Sequence, residues 1–509
     1  MHPLPSVVVI GAGFAGTTLV RTLEKRWPGG LRITLISDES YTTFNPMLPE
    51  AVGASVFPEQ VVVPVREMLR AGHGCRFIMG SVTAVDTAQR TLRCHSLAGE
   101  LTIAYDHLVL AFGNRAKLDM LPGMAEHALP LKTVGDAMHI RNSVLRRLAR
   151  IELETDPALR RWLGHFIVIG GGFSGVEVAG ELVDCLASIR RYYPQVQADE
   201  LRITVLHGTE RLLPELSPRL GQAALSSLTR RGVTVRLKTR AKALTARGVT
   251  LSTGEQIDGQ TLICTIGTET NPLAALLGLP LLHGRIATHP DLSVQETPHV
   301  WALGDCAAVP NAHDGQLSPP TAQFAVRQAQ HLADNLIALT RGRPARVFSH
   351  RSRGMMASIG HLKGVAEVGG VALTGWPAWL VWRAYYLSQM PSWGRRLRVF
   401  LEWTWGMFQP PDITHLRFTR SHEQRGGQLS QAVADEERAA RPAQDWSAPG
   451  QRTGTRSRGS PPQPGRHLGD GMRDNLITIL IKIVCDRGRR RCPTSSASCC
   501  CTTGTCCDT

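Results

Sequence analysis

The sequence contains the same four-part pattern twice: an apolar strand, a glycine-rich turn, a helical period and a second apolar strand. A β-branched run that passes through glycines directly into a helix is typical of a βαβ unit with a parallel sheet. The first copy is Val7–Ile10, Gly11–Gly16, Thr17–Arg26 and Ile33–Ile36, and the second is Phe166–Ile169, Gly170–Gly175, Val176–Ala187 and Ile203–Leu206.

The glycines of both turns follow the spacing that a bound dinucleotide requires. They allow a tight turn, a close approach of the pyrophosphate and close helix packing, and the helix N-terminus then faces the phosphates. One such turn is weak evidence, but two in the same context predict two dinucleotide sites. The candidate binding residues are Gly11, Gly13, Phe14, Ala15 and Gly16 in the first turn and Gly170, Gly172 and Gly175 in the second.

Neither unit has the usual acidic residue at the end of its second strand, where a carboxylate would bind a ribose diol. In the first unit Ser37 ends the strand and Asp38 and Glu39 follow, so any of the three is a candidate. In the second unit His207 stands there with Arg211 nearby, and a 2′-phosphate would not be repelled. NADPH is therefore open beside NADH, as is the simpler interpretation that His207 is a surface loop residue.

The basic charge of the chain is concentrated rather than spread. The net charge is +15, and the segment Arg341–Arg420 alone holds twelve Lys/Arg against three Asp/Glu. That segment is also rich in Trp and Tyr, which favours a membrane surface over nucleic acid. A nucleic-acid-binding or scaffold protein would be the alternative class, but it leaves both glycine turns unexplained.

The cysteines indicate a reducing compartment and no metal site. Seven of the twelve lie between Cys485 and Cys507, and the other five are scattered without paired spacing. No run of 18 apolar residues occurs, and neither a secretory signal nor a spanning helix is expected.

Beyond the two units, two aromatic helices are predicted over Trp376–Phe408, broken at Pro391. Six of the ten tryptophans lie there, and Arg395, Arg396 and Arg398 would meet anionic head groups if the apolar face entered a membrane. A helical homodimer interface is the alternative. From His422 onward the composition predicts disorder.

At this point the residues resemble the type II NADH dehydrogenases, the single-chain NADH:quinone oxidoreductases of the two-dinucleotide-binding-domain flavoproteins. The resemblance runs from Val7 to about Phe418. The segments that carry it are Tyr41–Pro49, Leu110–Gly113, Gly175–Glu181, Arg211–Pro214, Trp301–Cys306 and Pro319–Gln328.

The resemblance implies roles for further residues. Asp305 would bind the ribityl chain of FAD, with a helix N-cap as the alternative. Glu177 would lie near the nicotinamide and the flavin edge, with an ordinary acid at a helix N-terminus as the alternative, and Gln323 would hydrogen-bond a quinone carbonyl. Gln328 is a weaker second quinone candidate, and Lys363 would place a positive charge near the flavin, unless it is only a solvated lysine. The catalytic candidates are thus Glu177, Gln323 and Lys363, and the further cofactor-binding candidates are Ala111, Gly113, Gly267, Gly304 and Ala322.

The resemblance also implies an α/β fold with two Rossmann-like dinucleotide-binding domains, a C-terminal amphipathic helical membrane-association module and a disordered tail. The expected segments are 1–160 and 291–345 for the FAD domain, 161–290 for the NAD(P)H domain, 346–420 for the module and 421–509 for the tail.

The activity it implies is hydride transfer from NADH to FAD and then two-electron reduction of a membrane quinone, without proton pumping. The expected location is peripheral, on the cytoplasmic face of the inner membrane. A sulfide:quinone-type reductase is an alternative that needs cysteines flanking the flavin, where only Cys306 stands. A soluble NAD(P)H-dependent reductase of a protein electron carrier is another, and it leaves the aromatic module unexplained.

Overall fold

The computed structural model describes residues 4–69, 75–390 and 392–416. The predicted disordered tail, 421–509, lies outside them. Within the described residues, the helices in chain order are α1 (Phe14–Arg26), α2 (Leu48–Val52), α3 (Pro58–Val61), α4 (Val65–Met68), α5 (Met124–His127), α6 (Val134–Leu153), α7 (Pro157–Leu163), α8 (Phe173–Ile189), α9 (Pro218–Thr229), α10 (Leu273–Leu276), α11 (Ala322–Thr340), α12 (Trp376–Gln389) and α13 (Trp393–Trp405).

The strands of the same residues are short except for one. In chain order they are β1 (Ser6–Ile10), β2 (Arg32–Ser37), β3 (Tyr41–Thr43), β4 (Val62–Pro64), β5 (Cys75–Asp86), β6 (Thr91–Ser96), β7 (Gly99–Ala104), β8 (His107–Leu110), β9 (Asn114–Ala116), β10 (Ala128–Pro130), β11 (His165–Ile169), β12 (Arg202–Leu206), β13 (Thr234–Arg236), β14 (Ala241–Thr245), β15 (Gly248–Leu251), β16 (Gln256–Asp258), β17 (Thr261–Cys264), β18 (Thr268–Thr270), β19 (Leu281–Leu282), β20 (Arg285–Ala287), β21 (Val300–Ala302), β22 (Ala307–Ala308), β23 (Gly354–Ser358), β24 (Gly364–Val368) and β25 (Val371–Thr374).

The first predicted βαβ unit forms the centre of a seven-stranded sheet with the order β21-β8-β1-β2-β5-β6-β7. Its first five strands are parallel, with Val7 opposite both Ile33 and His107. Every residue of β1 is buried, because helices and loops cover both faces, as the continuous apolar run predicts. Strand β21 comes from far along the chain and brings the segment around Asp305 to the same sheet edge as the first glycine turn.

The second unit forms a parallel five-stranded sheet with the order β10-β17-β11-β12-β13. The expected domain boundary at residue 160 assigned β10 to the first domain, yet β10 pairs with β17 in this second sheet. Helix α6 likewise packs in the core of the second unit through Ile140 and Leu148. We therefore propose that the second domain begins near residue 128.

The C-terminal module combines an antiparallel sheet, β23-β24-β25, with the two aromatic helices. As predicted, these helices end and begin on either side of residue 391. The module packs tightly on α8, where a Cβ on Gly180 would lie 2.5 Å from the backbone of Ile359. No helix of the described residues combines the length and apolar character needed to cross a membrane.

Candidate functional site

The first glycine turn is shaped for close contact on one side and is open on the other. Gly11 has φ +104°, and a Cβ there would lie 2.5 Å from the Ala111 carbonyl oxygen. A Cβ on Gly16 would lie 1.9 Å from the oxygen of Gly11, which explains why the turn can pack directly on the helix. Gly13 and Gly113 have nothing within 4 Å of an added Cβ. Open space therefore surrounds the turn at the N-terminus of α1, where a pyrophosphate would bind.

The other candidates of the first unit surround this opening. Phe14 stacks edge-on against Phe44 at 5.5 Å, and the buried Ala15 lies beneath Gly304, at 3.2 Å from an added Cβ. Ser37 is the last residue of β2, and the carboxylate of Asp38 accepts a hydrogen bond from the amide of Glu39. Because Ile10 pairs with Ile36 in the sheet, Ser37 follows at the same edge of the sheet as the first glycine turn.

The Gly304–Cys306 segment is a short 3₁₀ helix that places Asp305 without an N-cap role for its side chain. Burial raises the pKa of Asp305, whereas the nearby Lys132 and Arg285 act in the opposite direction. Burial likewise lowers the pKa of Lys132, and Asp305 opposes that change. The sequence interpretation missed Lys132, because nothing local connects it to Asp305.

Gln328, the weaker quinone candidate, has a buried side chain that is hydrogen-bonded within the protein. Its side chain is 1% exposed, and its Oε1 accepts a hydrogen bond of 2.8 Å from the amide of Gly304. Gly304 has φ +74°, so a buried amide in a left-handed turn depends on this bond. Gln328 therefore positions the Asp305 segment.

The second glycine turn is supported by His207 rather than merely followed by it. The Gly171 amide donates a hydrogen bond of 3.0 Å to His207 Nδ1, and a Cβ on Gly171 would lie 2.7 Å from the imidazole ring. Burial lowers the pKa of His207, which favours the neutral ring that this bond requires. Neither the surface-loop interpretation nor a phosphate-binding imidazolium describes this arrangement, and Arg211 donates to the Pro214 carbonyl.

Five further candidates, four glycines and one alanine, lie in other turns and at the starts of helices. Gly170 has φ +118° and faces Thr265, while Gly172 is open like Gly13. Gly267 has φ +78° and is covered by Met120, whose Sδ lies 2.0 Å from an added Cβ. Of the remaining members of the predicted set, Gly175 is the third residue of α8, and Ala322 is the first residue of α11.

Glu177 and Gln323 contact the two ends of one strand. Glu177 lies in the second turn of α8 and accepts a hydrogen bond of 3.2 Å from the Ser358 amide at the end of β23. Gln323 lies in the first turn of α11 and donates to the Gly354 carbonyl at the start of β23, at 3.4 Å. Since a strand of this length spans roughly 13 Å, β23 connects the second nucleotide unit with the first across a short distance.

Glu177 is buried, unlike an ordinary acid at a helix N-terminus. Burial raises its pKa well above the usual range, and the neighbouring Glu50 and Glu181 raise it further, while the Ser358 amide and the Trp382 side chain oppose the rise. Glu181, one turn further along α8, accepts a hydrogen bond of 2.6 Å from Ser55 Oγ, and burial raises its pKa to about 8. Burial therefore favours the neutral form of the Glu177 carboxyl group.

A buried ion pair completes this carboxyl cluster. Arg383 Nη2 lies 3.5 Å from Glu50 Oε1, and the guanidinium stacks on Trp379 and Trp403 at 3.9 and 4.7 Å. Trp403 Nε1 also donates to Glu50, at 3.0 Å. Sequence interpretation missed Glu50, Glu181 and Arg383, although Glu181 repeats Glu177 at a spacing of four residues, which places both on one helix face.

Lys363 is not brought together with Glu177 and Gln323. Its ammonium group pairs with Asp184 at 3.3 Å and donates to the His361 carbonyl at 2.8 Å. Asp184 lies seven residues beyond Glu177, about 10 Å along α8, and Arg231 also pairs with it. The positive charge of Lys363 is thus matched by a carboxylate at a distance from the candidate site.

Cys306 does not have the surroundings that a redox cysteine needs. Its thiol is buried and donates to the carbonyl oxygens of Leu110 and Leu303, and burial raises its pKa to about 12. Every cysteine of the described residues is a free thiol. The described residues also contain no cluster of three side chains suited to a metal ion.

The aromatic helices differ from the prediction in where their side chains point. Trp379, Trp382 and Trp403 are buried, and only the other three tryptophans, Trp376, Trp393 and Trp405, are exposed. Arg395 and Arg396 bind the chain's own carbonyl oxygens, those of Glu59 and Met390, whereas Arg398 is exposed. Three of the six tryptophans in these helices therefore serve internal packing.

Comparisons with known proteins match this architecture over most of the chain. The family model "Pyridine nucleotide-disulphide oxidoreductase" matches residues 5–329, and the model "NDH2 C-terminal domain" matches residues 352–409. A demethylphylloquinone reductase of Synechocystis is 32% identical over 408 residues, which are 78% of this chain and 95% of that protein. A type II NADH:quinone oxidoreductase of Mycobacterium tuberculosis is 27% identical over 415 residues, covering 78% of this chain and 87% of the relative.

A solved structure shows the same fold. The NDH2 of Plasmodium falciparum, solved in complex with NADH, superimposes with a TM-score of 0.76 at 18% identity, covering 81% of this chain and all of that one. These matches confirm the predicted family and the α/β fold with two Rossmann-like sheets. The chain belongs to the type II NADH dehydrogenases, within the pyridine nucleotide-disulphide oxidoreductase family.

Proposed function

We propose that the protein is a type II NADH:quinone oxidoreductase, which oxidises NADH and reduces a quinone. The observation that carries this proposal is β23, which joins a buried glutamate of the second nucleotide unit to a glutamine of the first. The names of relatives from Mycobacterium tuberculosis and Synechocystis describe quinone reductases and agree with it.

FAD fits the first unit. Gly11, Gly13 and Gly16 would hold its pyrophosphate at the N-terminus of α1, and the open space at Gly113 accommodates a ligand beside the turn. Asp305 is buried next to Lys132, so its carboxylate can accept from a ribityl hydroxyl while the pair stays neutral overall. When bound, FAD would supply hydride acceptance and two-electron donation.

The residues around FAD would position the two substrates rather than react with them. Burial favours the neutral form of Glu177, which adds no charge beside a reduced nicotinamide and can donate one hydrogen bond as well as accept another. The Gln323 amide can donate to a quinone carbonyl and accept from the hydroxyl that the carbonyl becomes. Gln323 is held for this by the Gly354 carbonyl and the Arg353 amide, at 3.4 and 3.3 Å.

NADH would bind at the second glycine turn, where Gly172 leaves the N-terminus of α8 open. NADPH remains an alternative donor, since no acidic side chain ends β12. The neutral His207 supports the turn and offers a 2′-phosphate no positive charge, which favours NADH.

Stopped-flow bleaching of the bound flavin near 450 nm by NADH and NADPH, followed by reoxidation with a short-chain quinone, tests these assignments. We expect rapid bleaching by NADH and rapid reoxidation by quinone. In Gln323→Leu the reoxidation should slow while bleaching persists, and Gln330→Leu, further along α11, serves as the control. Absence of bleaching by either nucleotide would refute the proposed activity.

We also propose that the exposed aromatic face of α12 and α13 lies on a membrane, at the cytoplasmic face of the inner membrane. Trp393, Phe400 and Trp405 are 77%, 52% and 64% exposed on α13. Aromatic side chains at such exposure favour the lipid–water interface, and a lipid-soluble quinone would enter from there.

Co-sedimentation with anionic liposomes tests the membrane proposal. Replacing Trp393, Phe400 and Trp405 by serine should abolish binding. The control replaces three exposed leucines elsewhere, Leu97, Leu153 and Leu276, by serine. If the α13 variant still binds liposomes but changes from dimer to monomer in light scattering, the face is a homodimer interface instead.

A further inference from the structure

The loop before β23 forms an open cavity of about 400 Å³ lined by Arg327, Ser349, His350, Arg351, Ser352 and Arg353. Three arginines, a histidine and two serines thus line one space. Among the described residues, none of the ion pairs includes Arg327, Arg351 or Arg353, and Arg327 is hydrogen-bonded only to the neutral Gln330 side chain, at 3.2 Å.

Hydrogen bonds and aromatic contacts hold the loop that forms the wall of the cavity. A basic loop that was merely solvated would not need such contacts. Asn311, 1% exposed, bonds both main-chain groups of His350, accepting from its amide and donating to its carbonyl, each at 2.9 Å. Phe348 is buried against Phe324 at 6.5 Å, and the His350 ring packs edge-on against Phe324 at 5.2 Å. These contacts fix the loop immediately before Arg351 and Arg353.

The positive charges act on one another in this arrangement. Burial lowers the pKa of His350, and Arg327, Arg353 and His313 lower it further. A bound anion would relieve this repulsion, and guanidinium groups match the oxygens of a phosphate in bidentate geometry. The hydroxyl groups of Ser349 and Ser352 are uncharged hydrogen-bond donors, and phosphate oxygens also accept hydrogen bonds from such groups.

We propose that this cavity is a phosphate-binding site. It is separate from the two glycine turns, which lie at the ends of β1 and β11 and would take the phosphates of the dinucleotides. It adjoins Gln323, which interacts with the His350 ring at 3.4 Å and the Arg353 amide at 3.3 Å. The phosphate would come from the head group of an anionic phospholipid or from free inorganic phosphate, since the cavity is open to solvent.

Isothermal titration of the full-length, FAD-loaded protein at constant ionic strength tests the site. The probes are inorganic phosphate, dihexanoylphosphatidylglycerol and dihexanoylphosphatidylcholine, the lipids below their micellar concentration. The test variant is R351Q/R353Q, and the control is R76Q/R93Q, which removes two exposed arginines from β5 and β6.

We expect saturable binding of phosphate to the wild type and the control, and at least about tenfold weaker binding to R351Q/R353Q. Phosphatidylglycerol binding tighter than inorganic phosphate, with phosphatidylcholine weak, identifies a lipid head group as the source. Equal or weaker lipid binding identifies free phosphate. No saturable binding of any probe, or equal binding to both variants, would overturn the site, and bleaching of the flavin by NADH reports separately on the proposed activity.

Discussion

Replacing Arg383 by methionine should destabilise the protein strongly, and more at high pH than at low pH. The Arg383 and Glu50 side chains are 12% and 2% exposed, so the substitution leaves a buried carboxylate without its cation. Breaking such a pair costs about 3–5 kcal/mol. The two lost cation–π contacts, with Trp379 and Trp403, are worth roughly 0.5–2 kcal/mol each and do not depend on pH.

The pH dependence follows from the sign of the pKa shift. Burial raises the pKa of Glu50 in the folded state, and Arg383 opposes that rise. A raised folded pKa gives stability that is present below the unfolded pKa and is lost as the pH rises through the folded pKa. Without Arg383 the folded pKa rises further, so the variant should lose about 4 kcal/mol or more at pH 8 but only about 2 kcal/mol at pH 5.5, where Glu50 takes up a proton.

Urea unfolding of the FAD-loaded protein, followed by circular dichroism at both pH values, measures these differences. Arg398→Met, at an exposed position of α13, is the matched control and should change the stability by less than about 0.5 kcal/mol. The double variant E50Q/R383M should recover part of the loss at pH 8, because the Glu50 carboxylate is then no longer buried without its cation. Equal losses at pH 5.5 and pH 8, or no recovery in the double variant, would refute the reasoning.

Three further predictions follow from buried contacts of the site. Gln328→Leu leaves the Gly304 amide without its acceptor, which should cost about 1–3 kcal/mol and release FAD more readily, as absorbance after gel filtration would show; unchanged flavin content would contradict the positioning role. Gly180→Ala introduces a Cβ at 2.5 Å from the Ile359 backbone, so it should lower the melting temperature, whereas a wild-type melting curve would show that the contact is loose. Glu181 has a pKa of about 8, raised from the ordinary 4.5, so wild-type stability should fall as the pH rises from about 5 to 8, and Glu181→Gln should flatten that decline in urea midpoints; an unchanged slope would exclude Glu181 as its cause.

Local patterns allowed the sequence to predict the two βαβ units closely. The apolar runs at Val7–Ile10 and Phe166–Ile169 correspond to β1 and β11, since a strand buried on both faces must be apolar throughout. The glycine turns were equally predictable, because Gly11 and Gly170 adopt φ values that other residues rarely adopt. Both signals reside in a few consecutive residues.

Features that depend on distant pairing were not predictable from one sequence. Strand β10 has three residues and joins the second sheet only through β17, more than 130 positions later, so the boundary was expected at residue 160. The burial of Trp379, Trp382 and Trp403 depends on which face of α12 and α13 meets the rest of the fold. The sequence of an aromatic helix shows which of its faces is apolar, but not whether that face meets lipid or protein.

The carboxyl cluster explains why the aromatic module belongs to the site rather than only to a surface. Glu50 lies on α2, in the first nucleotide unit. Glu181 lies on α8, the helix that follows the second glycine turn, and Arg383 lies on α12 of the module. A displaced module would remove the partner of Glu50, and the cost of an unpaired buried charge opposes that displacement. The same docking places the Ser358 amide against Glu177 at the end of β23. The module thus contributes the Ser358 amide and Trp382, the two groups that oppose the rise in the pKa of Glu177.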